Sequence, residues 1–361
     1  MAFTANDHLF MTRALRLAEQ GLYTTMPNPR VGCVIVKNYI IVGEGAHLKA
    51  GGPHAEVFAL RQAGEQAKGA TAYVTLEPCN HTGLTPPCSQ AIIDAGIVKV
   101  IAAMQDPNPL VAGSGLTHLQ AYGIEAISGL MQAQASALNP GFISRMSRSF
   151  PYIRSKIAAS LDGKTALQNG ESKWITGEAA RLDVQHWRAR SCAILTGIGT
   201  VLADNPSMTV RDLQTDRQPL KVIVDSQLQI PLDAKILRGG NALITFSRQN
   251  PKIEAQLLDV GAELLHIPNE QGKVCLKTLL SHLASQQINE VLVEAGESLN
   301  GALMVQNLID ELLIYMAPKL MGSVAKGLFS LPKFTDMNQA IDLDIIDIRQ
   351  IGVDIRLRAK C

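Results

Sequence analysis

Several things are missing from this sequence, and each absence closes off a class of function. There is no charge imbalance: 33 Lys and Arg face 32 Asp and Glu over 361 residues, a formal charge of +1, so no whole-molecule field draws the chain to nucleic acid or anionic lipid. The balance holds within each half, with nine basic and nine acidic residues in 1–147 and 24 and 23 in the remainder. No window offers about 18 uncharged apolar residues, which argues against a membrane span. The amino terminus lacks a signal peptide's basic stretch and apolar core, carrying Asp7 and Arg13 instead. Cysteine is scarce at six residues; without a secretory signal, these read as metal ligands or buried thiols rather than a disulfide framework. Internal repeats and low-complexity tracts are also missing. The sequence thus predicts a soluble, cytoplasmic chain that binds neither nucleic acid nor membrane. At roughly 150 residues per domain, its length suits two domains.

The patterning supports that division. Leu9, Phe10, Ala14, Leu17 and Ala18 form the apolar stripe of a first helix, capped by Asn6 or Asp7 and ended by Gly21. Val31–Val36 and Ile40–Gly43 read as a hairpin around Lys37-Asn38-Tyr39. A helix from about Pro53 to Gly64, a strand at Ala70–Leu76, a short helix at Cys88–Ala95 and a strand at Val98–Ala103 follow. A hairpin leading into alternating helices and strands implies an α/β sheet with parallel pairs, covered by helices. Asn139-Pro140-Gly141, Arg145, Arg148 and Pro151 make a basic, turn-forming stretch that reads as a linker, dividing the chain into 1–147 and 148–361. The second half restarts with the strand Tyr152–Ala159. Further apolar runs lie at Ala193–Thr196, Val222–Val224, Ala242–Phe246, Glu263–Ile267, Val291–Val293 and Leu312–Met316. Helices at Glu178–Arg190 and Val274–Ser285 fall between them, giving a second α/β domain, and Ile341–Ile348 with Val353–Leu357 reads as a terminal hairpin.

The strongest constellation is His54-Ala55-Glu56, then Pro78-Cys79, then Cys88. One imidazole and two thiolates are three tetrahedral ligands for Zn²⁺ with a fourth position open to water. Cys88 opens a helix, whose N-terminal dipole favours a thiolate. Glu56, two residues beyond His54, is placed to take a proton from water and pass it to a departing amine, as in hydrolytic deamination. The zinc-deaminase pattern of His-x-Glu with Pro-Cys-x-x-Cys is widened here, the cysteines standing nine apart. Two other readings stay open: a closed structural zinc with His81 as fourth ligand, or three unrelated buried residues. A nucleic-acid base deaminase would want Lys/Arg clusters that this half lacks. Cys33 and Cys192 read as buried thiols, and Cys275 and Cys361 have no ligand pattern around them.

These residues carry a resemblance. Asn28-Pro29-Arg30-Val31-Gly32, Gly45–His47, Gly51-Gly52-Pro53-His54-Ala55-Glu56, Glu77-Pro78-Cys79-Asn80-His81-Thr82-Gly83 to Pro87-Cys88, and Gln105-Asp106-Pro107-Asn108-Pro109 resemble the bifunctional riboflavin-biosynthesis deaminase/reductase family. The widened cysteine spacing is that family's variant. The resemblance implies a cytidine-deaminase-like three-layer α/β domain that hydrolyses the 2-amino group of 2,5-diamino-6-ribosylamino-4(3H)-pyrimidinone 5′-phosphate. It implies His54, Cys79 and Cys88 on zinc, Glu56 as proton shuttle, and Asn28, His47, Asp106 and Asn108 on substrate. Read alone, Asn28 suits a turn between two prolines and His47 a hairpin end. Leu84 departs from the family, which usually has Lys or Arg there in a position suited to the substrate phosphate.

In the second half, Val291–Leu299 reads as strand, glycine turn and helix start, and Thr196-Gly197-Ile198-Gly199-Thr200 as another glycine turn after a strand. Such turns direct backbone N–H groups at phosphate, although the full dinucleotide fingerprint is missing. Ala158-Ser160-Leu161-Asp162-Gly163, Ser172–Thr176, Thr200–Pro206, Val224-Asp225-Ser226 and Val293–Gly296 are similar to the same family's reductase half. The resemblance implies a dihydrofolate-reductase-like fold that uses NADPH to reduce the product's ribose to ribitol, in a homo-oligomer. Its implied cofactor residues are Ala158, Trp174, Thr200, Asp204, Ser226 and Gly296. Its implied substrate residues are Lys156, Ser172, Thr176, Arg188, Arg211 and Glu294, with the two arginines as phosphate clamps.

Overall fold

Contacts divide the chain in this computed structural model, which describes residues 3–80, 87–109 and 111–361, into two units, Met1–Ser149 and Phe150–Cys361. The first unit begins with helix α1 (Ala5–Ala18), which is opened by Thr4 rather than by Asn6 or Asp7. Thr4 Oγ1 accepts from the Asp7 amide while Asp7 Oδ2 accepts from the Thr4 amide, a reciprocal cap that puts Asp7 inside the first turn. The hairpin β1 (Gly32–Lys37) and β2 (Ile40–Ala46) follows, turning through Asn38 and Tyr39 with positive φ. Then come α2 (Ala55–Ala63), β3 (Thr71–Val74), α3 (Cys88–Asp94), β4 (Lys99–Ala102), α4 (Ser114–Ala121), β5 (Glu125–Ser128), α5 (Gln132–Leu138) and α6 (Pro140–Arg148). The sheet order is β2-β1-β3-β4-β5, with β1 antiparallel to both neighbours and β3, β4 and β5 parallel.

Small residues set the layer spacing. A Cβ on Gly32 would lie 2.0 Å from the Ala14 carbonyl oxygen, and one on Gly45 would lie 2.1 Å from that of Ala55 and 2.7 Å from the Ala59 amide. Helices α1 and α2 therefore press their alanines directly onto strand backbone, an approach only glycine permits. The contact at Gly45 fixes the amino end of α2, where the predicted metal-ligand histidine sits.

The basic stretch read as a linker is helix α6. Pro140 occupies its first turn, where its missing N–H costs nothing, and Arg148 Nη2 donates to Ser144 Oγ at 2.6 Å. Arg154, a few residues on, is 1 % exposed, inside the first strand of the next unit.

That unit runs β6 (Tyr152–Ser160), α7 (Glu178–Arg190), β7 (Ala193–Gly197), α8 (Ile198–Asp204), β8 (Leu220–Val224), β9 (Ala242–Phe246), α9 (Pro251–Asp259), β10 (Glu263–His266), α10 (Leu276–Ser285), β11 (Glu290–Val293), α11 (Glu297–Val305), β12 (Glu311–Ala317), β13 (Asp344–Ile351) and β14 (Asp354–Lys360). Its nine-stranded sheet has the order β10-β9-β8-β7-β11-β6-β12-β14-β13, parallel from β10 to β12 and antiparallel beyond. The central strands are apolar on both faces, as a covered parallel sheet requires. Ile194, Ile223 and Leu292 pack with Val184 and Trp187 of α7 and Leu257 of α9. Ala193, Leu195, Val291 and Val293 pack with Leu279 and Leu283 of α10 and Leu303 of α11. Among the described residues, no helix is long and apolar enough to cross a membrane.

Candidate functional site

His54 is the N-cap residue of α2 and Cys88 the first residue of α3, so two helix amino ends and the segment leaving β3 converge. His54 Nδ1 lies 3.6 Å from Cys79 Sγ and 3.3 Å from Cys88 Sγ, and the three donor atoms lie within 4.8 Å of one another. Tetrahedral zinc, with Zn–N near 2.1 Å and Zn–S near 2.3 Å, sets nitrogen and sulfur about 3.5 Å apart. The donor set fits that ion without rearrangement. The Cys88 amide donates to Cys79 Sγ at 3.4 Å. A hydrogen bond from the Cys88 thiol, with His54 adding to it, lowers Cys79 to about 4 against burial, while the hydrogen bond to Cys79, with burial, pushes Cys88 up; a bound zinc would take both as thiolates. His81 and Leu84 lie outside the described residues.

Glu56 is 3 % exposed. Burial, then the negative charge on Cys79, pushes its carboxyl up to about 7, and its enclosed Oε2 has no hydrogen-bond partner among the described residues. An orphaned buried carboxylate oxygen is costly unless something is meant to meet it.

His47, 2 % exposed, stands edge-on to His54 with ring centroids 5.4 Å apart. Its Nδ1 is 3.0 Å from the Pro53 carbonyl oxygen. A carbonyl only accepts, so Nδ1 carries the hydrogen and Nε2 is left to accept from Asn28 Nδ2, 3.2 Å away. Burial lowers the His47 pKa, which keeps the ring neutral and this tautomer in place. Asn28 retains its side-chain oxygen as an acceptor. Asp106 and Asn108 follow β4, where the Asn108 amide donates to Asp106 Oδ1 at 2.8 Å. Asp106 lines a cavity of about 500 Å³ with Met104, Gln105, Pro107, Ser128 and Gly129, at the carboxyl ends of β4 and β5. Glu77, unremarked in the sequence beyond its place in the motif, is 4 % exposed and accepts four backbone N–H groups, from Asp106, Gly113, Gly115 and Leu116.

In the second unit, Thr200, Ser226, Glu294 and Gly296 lie just beyond the carboxyl ends of β7, β8 and β11, three neighbours in the parallel sheet. Lys156 and Ala158 share one face of β6 beside β11, since alternate strand residues point the same way. The amino end of α11 has no side-chain cap and Gly296 opens onto free space, as does Gly199; bare first-turn amides beside a glycine fit a phosphate. Ser172 Oγ donates to Asp204 Oδ1 at 3.4 Å, and Lys173 Nζ stands 3.4 Å from the same oxygen, tying the segment before Trp174 to α8. Trp174 is 66 % exposed, with the Arg181 guanidinium 4.6 Å from its ring centroid. Arg181 also donates to the carbonyl of buried Thr176.

The two arginines separate. Arg211 is exposed, its guanidinium donating to Ser207 Oγ at 3.1 Å. Arg188 is buried and engaged by protein groups in this structure. It grips Glu294 with two bonds of 2.6 and 3.0 Å and donates to the Thr209 carbonyl at 2.9 Å. Lys156 Nζ, 3.6 Å from Glu294 Oε2, is the third member of this group. Burial opposes the Glu294 charge, but Arg188 and Lys156 hold the carboxyl down at about 2.

Comparison with known proteins gives one consistent result. Residues 4–104 match the cytidine and deoxycytidylate deaminase zinc-binding region, and residues 151–357 match the RibD C-terminal domain. The chain is 50 % identical to riboflavin biosynthesis protein RibD of Escherichia coli, covering 97 % of this chain and 98 % of that one. It is 50 % identical to the Haemophilus influenzae protein of the same name, over 99 % and 98 %. Among solved structures, Acinetobacter baumannii RibD superposes with a TM-score of 0.92 at 49 % identity, covering 98 % of both chains. The Thermotoga maritima diaminohydroxyphosphoribosylaminopyrimidine deaminase/5-amino-6-(5-phosphoribosylamino)uracil reductase gives 0.86 at 31 % identity, also over 98 % of both.

Proposed function

Because the chain belongs to the RibD family of riboflavin-biosynthesis proteins, with a cytidine-deaminase-like domain followed by a reductase domain, we propose that it catalyses two consecutive steps. Residues 1–147 hydrolyse the 2-amino group of 2,5-diamino-6-ribosylamino-4(3H)-pyrimidinone 5′-phosphate. Residues 148–361 then reduce the ribose of the product to ribitol. The observation that carries the reading is the buried, half-unpartnered Glu56 two residues from the His54, Cys79 and Cys88 cluster.

His54, Cys79 and Cys88 would hold zinc, which when bound supplies the Lewis acidity that makes water nucleophilic near neutral pH. Glu56, buried two residues from His54, is placed to accept and release a proton there, and Oε2, without a hydrogen-bond partner among the described residues, is its atom for carrying one to the departing amine. Asn28, fixed by His47, Asp106 and Asn108 read the polar heterocycle and its ribose. In the second unit Ala158, Trp174, Thr200, Asp204, Ser226 and Gly296 would hold NADPH, which supplies the reducing equivalents. Ser172, Thr176 and Arg211 bind substrate, with Arg211 as the phosphate contact, while Arg188 fixes Glu294. Lys156 Nζ, steadied by Glu294, is the group placed to hand over a proton as the opened sugar is reduced.

Ammonia release from the diaminopyrimidinone phosphate, measured with metal content, tests the first half. Glu56→Gln should abolish release with zinc retained; no ammonia from the wild type, or unaltered turnover in the variant, would sink the deaminase assignment. NADPH absorbance should fall only after the deaminated product is supplied, and Cys79→Ser should leave that step intact. Equal use of NADH would overturn the NADPH preference.

A homo-oligomer is part of the same proposal. Strand β13 is a sheet edge, and Ile345, Ile348, Val353 and Ile355 on the β13–β14 hairpin are exposed, which a soluble monomer rarely tolerates at an edge. A second copy of the chain covering this hairpin predicts a dimer or larger assembly by sedimentation. Ile348→Lys should dissociate it, and a monomeric wild type refutes the arrangement.

A further inference from the structure

Glu77 carries a feature that its neighbours in the Glu-Pro-Cys motif do not. Its carboxylate is enclosed and spends all its acceptor capacity on backbone. Oε2 takes the amides of Asp106 and Gly113 at 3.0 and 2.9 Å. Oε1 takes those of Gly115 and Leu116 at 2.8 and 3.2 Å. Gly115 is needed for the approach, since a Cβ there would stand 2.0 Å from the Pro78 carbonyl oxygen. The first turn of α4 is thus clamped against Pro78, the residue before the metal ligand Cys79. The same carboxylate pins both Asp106 and Gly113, the two sides of the segment that carries Asn108. Hydrogen bonds to an ionised carboxylate are roughly twice as strong as neutral ones, and four of them converge here.

We propose that Glu77 is a positioning residue for the deaminase. It sets the distance between the metal-ligand segment and the substrate-reading pair Asp106 and Asn108, so that a bound pyrimidine meets the reactive centre in register. The proposal deepens the deaminase reading above and rests on it. It separates two roles that a purely structural carboxylate would merge. The Glu77 carboxylate bonds to backbone rather than to His54, Cys79 or Cys88, so losing it should disturb how substrate is held and leave metal uptake alone.

Glu77→Gln is the sharp probe. An amide keeps one acceptor oxygen and turns an NH₂ toward two backbone donors, so one of the two pairs of bonds must open. The expected result is a rise of tenfold or more in deaminase KM. Accompanying it, kcat should fall less than threefold, with one zinc per chain retained and the chain's own reductase rate unchanged. Glu77→Asp, which keeps both oxygens on a shorter stem, should recover part of the KM loss. Amide hydrogen exchange should accelerate over Asp106–Gly113 while β1 stays protected. Proportional loss of zinc and kcat would show a merely structural residue and overturn the proposal, as would an unchanged KM in a folded Glu77→Gln. If that variant is insoluble, Glu77→Asp takes its place and the same two outcomes overturn the proposal. Asn108→Ala distinguishes the two levels: if it leaves KM unaltered, the substrate-reading assignment of the segment fails; if it raises KM while Glu77→Gln does not, the positioning role fails alone.

Discussion

Arg154 offers the most exacting test of how the second unit is held together. Its guanidinium is 1 % exposed and lies 3.1 Å from Glu290 Oε2 and 3.1 Å from Glu311 Oε2, with its carbon 4.7 Å from the Trp187 ring centroid. Arg154→Met fills the same space and removes the charge. It leaves Glu290 with Arg190 and Glu311 with Arg358, two carboxylates that have each lost a buried partner. Breaking a buried pair in this way costs about 3–5 kcal/mol. Linkage gives an independent figure. Burial opposes ionisation of Glu311, but Arg154 and Arg358 overcome it and hold the carboxyl at about 2, against an ordinary 4.5. That depression stabilises the fold by roughly 3 kcal/mol. Because the folded value is the lower one, this stabilisation is complete above pH 4.5 and is lost as pH falls toward 2. At pH 3 the wild type has already given up roughly 2 kcal/mol of it, whereas the variant has less to lose. The gap between them should therefore narrow on acidification. The chain has two tryptophans, Trp174 and Trp187, both in the second unit, so urea unfolding followed by tryptophan fluorescence reports that unit alone. A variant within about 1 kcal/mol of wild type at pH 7, or a gap equal at pH 7 and pH 3, refutes the reasoning.

Three further outcomes follow from specific contacts. Gly45→Ala drives a methyl into the Ala55 carbonyl at 2.1 Å, so α2 must shift with His54 and Glu56 on it; metal content should fall below one zinc per chain and ammonia release by more than about tenfold, with NADPH oxidation unchanged, and full zinc in the variant would contradict it. Arg211→Ala should raise the reductase KM for its phosphorylated substrate with Tm unchanged. Arg188→Leu strands the buried Glu294 charge and should lower Tm of the second unit by an amount matching about 3–5 kcal/mol; calorimetry and steady-state kinetics on both variants check the contrast.

How much of this was legible in the sequence depended on the range of the forces involved. The hairpin β1–β2 was readable because two runs of β-branched residues and a turn at Asn38 and Tyr39 are neighbours in the chain. So were helix α7, found at Glu178–Arg190 as the pattern predicts, and the gathering of His54, Cys79 and Cys88, whose chemistry leaves few other arrangements. Local ambiguity defeated two readings. Thr4 and Asp7 both have capping side chains, and only geometry shows that they cap each other's backbone. Asn139-Pro140-Gly141 has turn composition, yet proline is equally at home in a helix's first turn, and α6 begins there.

The larger gap concerns charge. Arginines 154 and 188 look in sequence like solvated or ligand-binding cations, because the residues that consume them are 157 and 106 positions away at Glu311 and Glu294. Strand order brings them together, β6 between β11 and β12 and α7 beside β11, and strand order is not written in any local pattern. The same holds for Glu77, whose four amides lie 29 to 39 residues downstream. In each case the charged side chain is engaged by protein groups far along the chain. Arg188 helps keep Glu294 ionised beside Lys156, a role the sequence alone does not show. Arg211 is the exposed one of the two arginines, which is why its substitution should change KM without touching Tm.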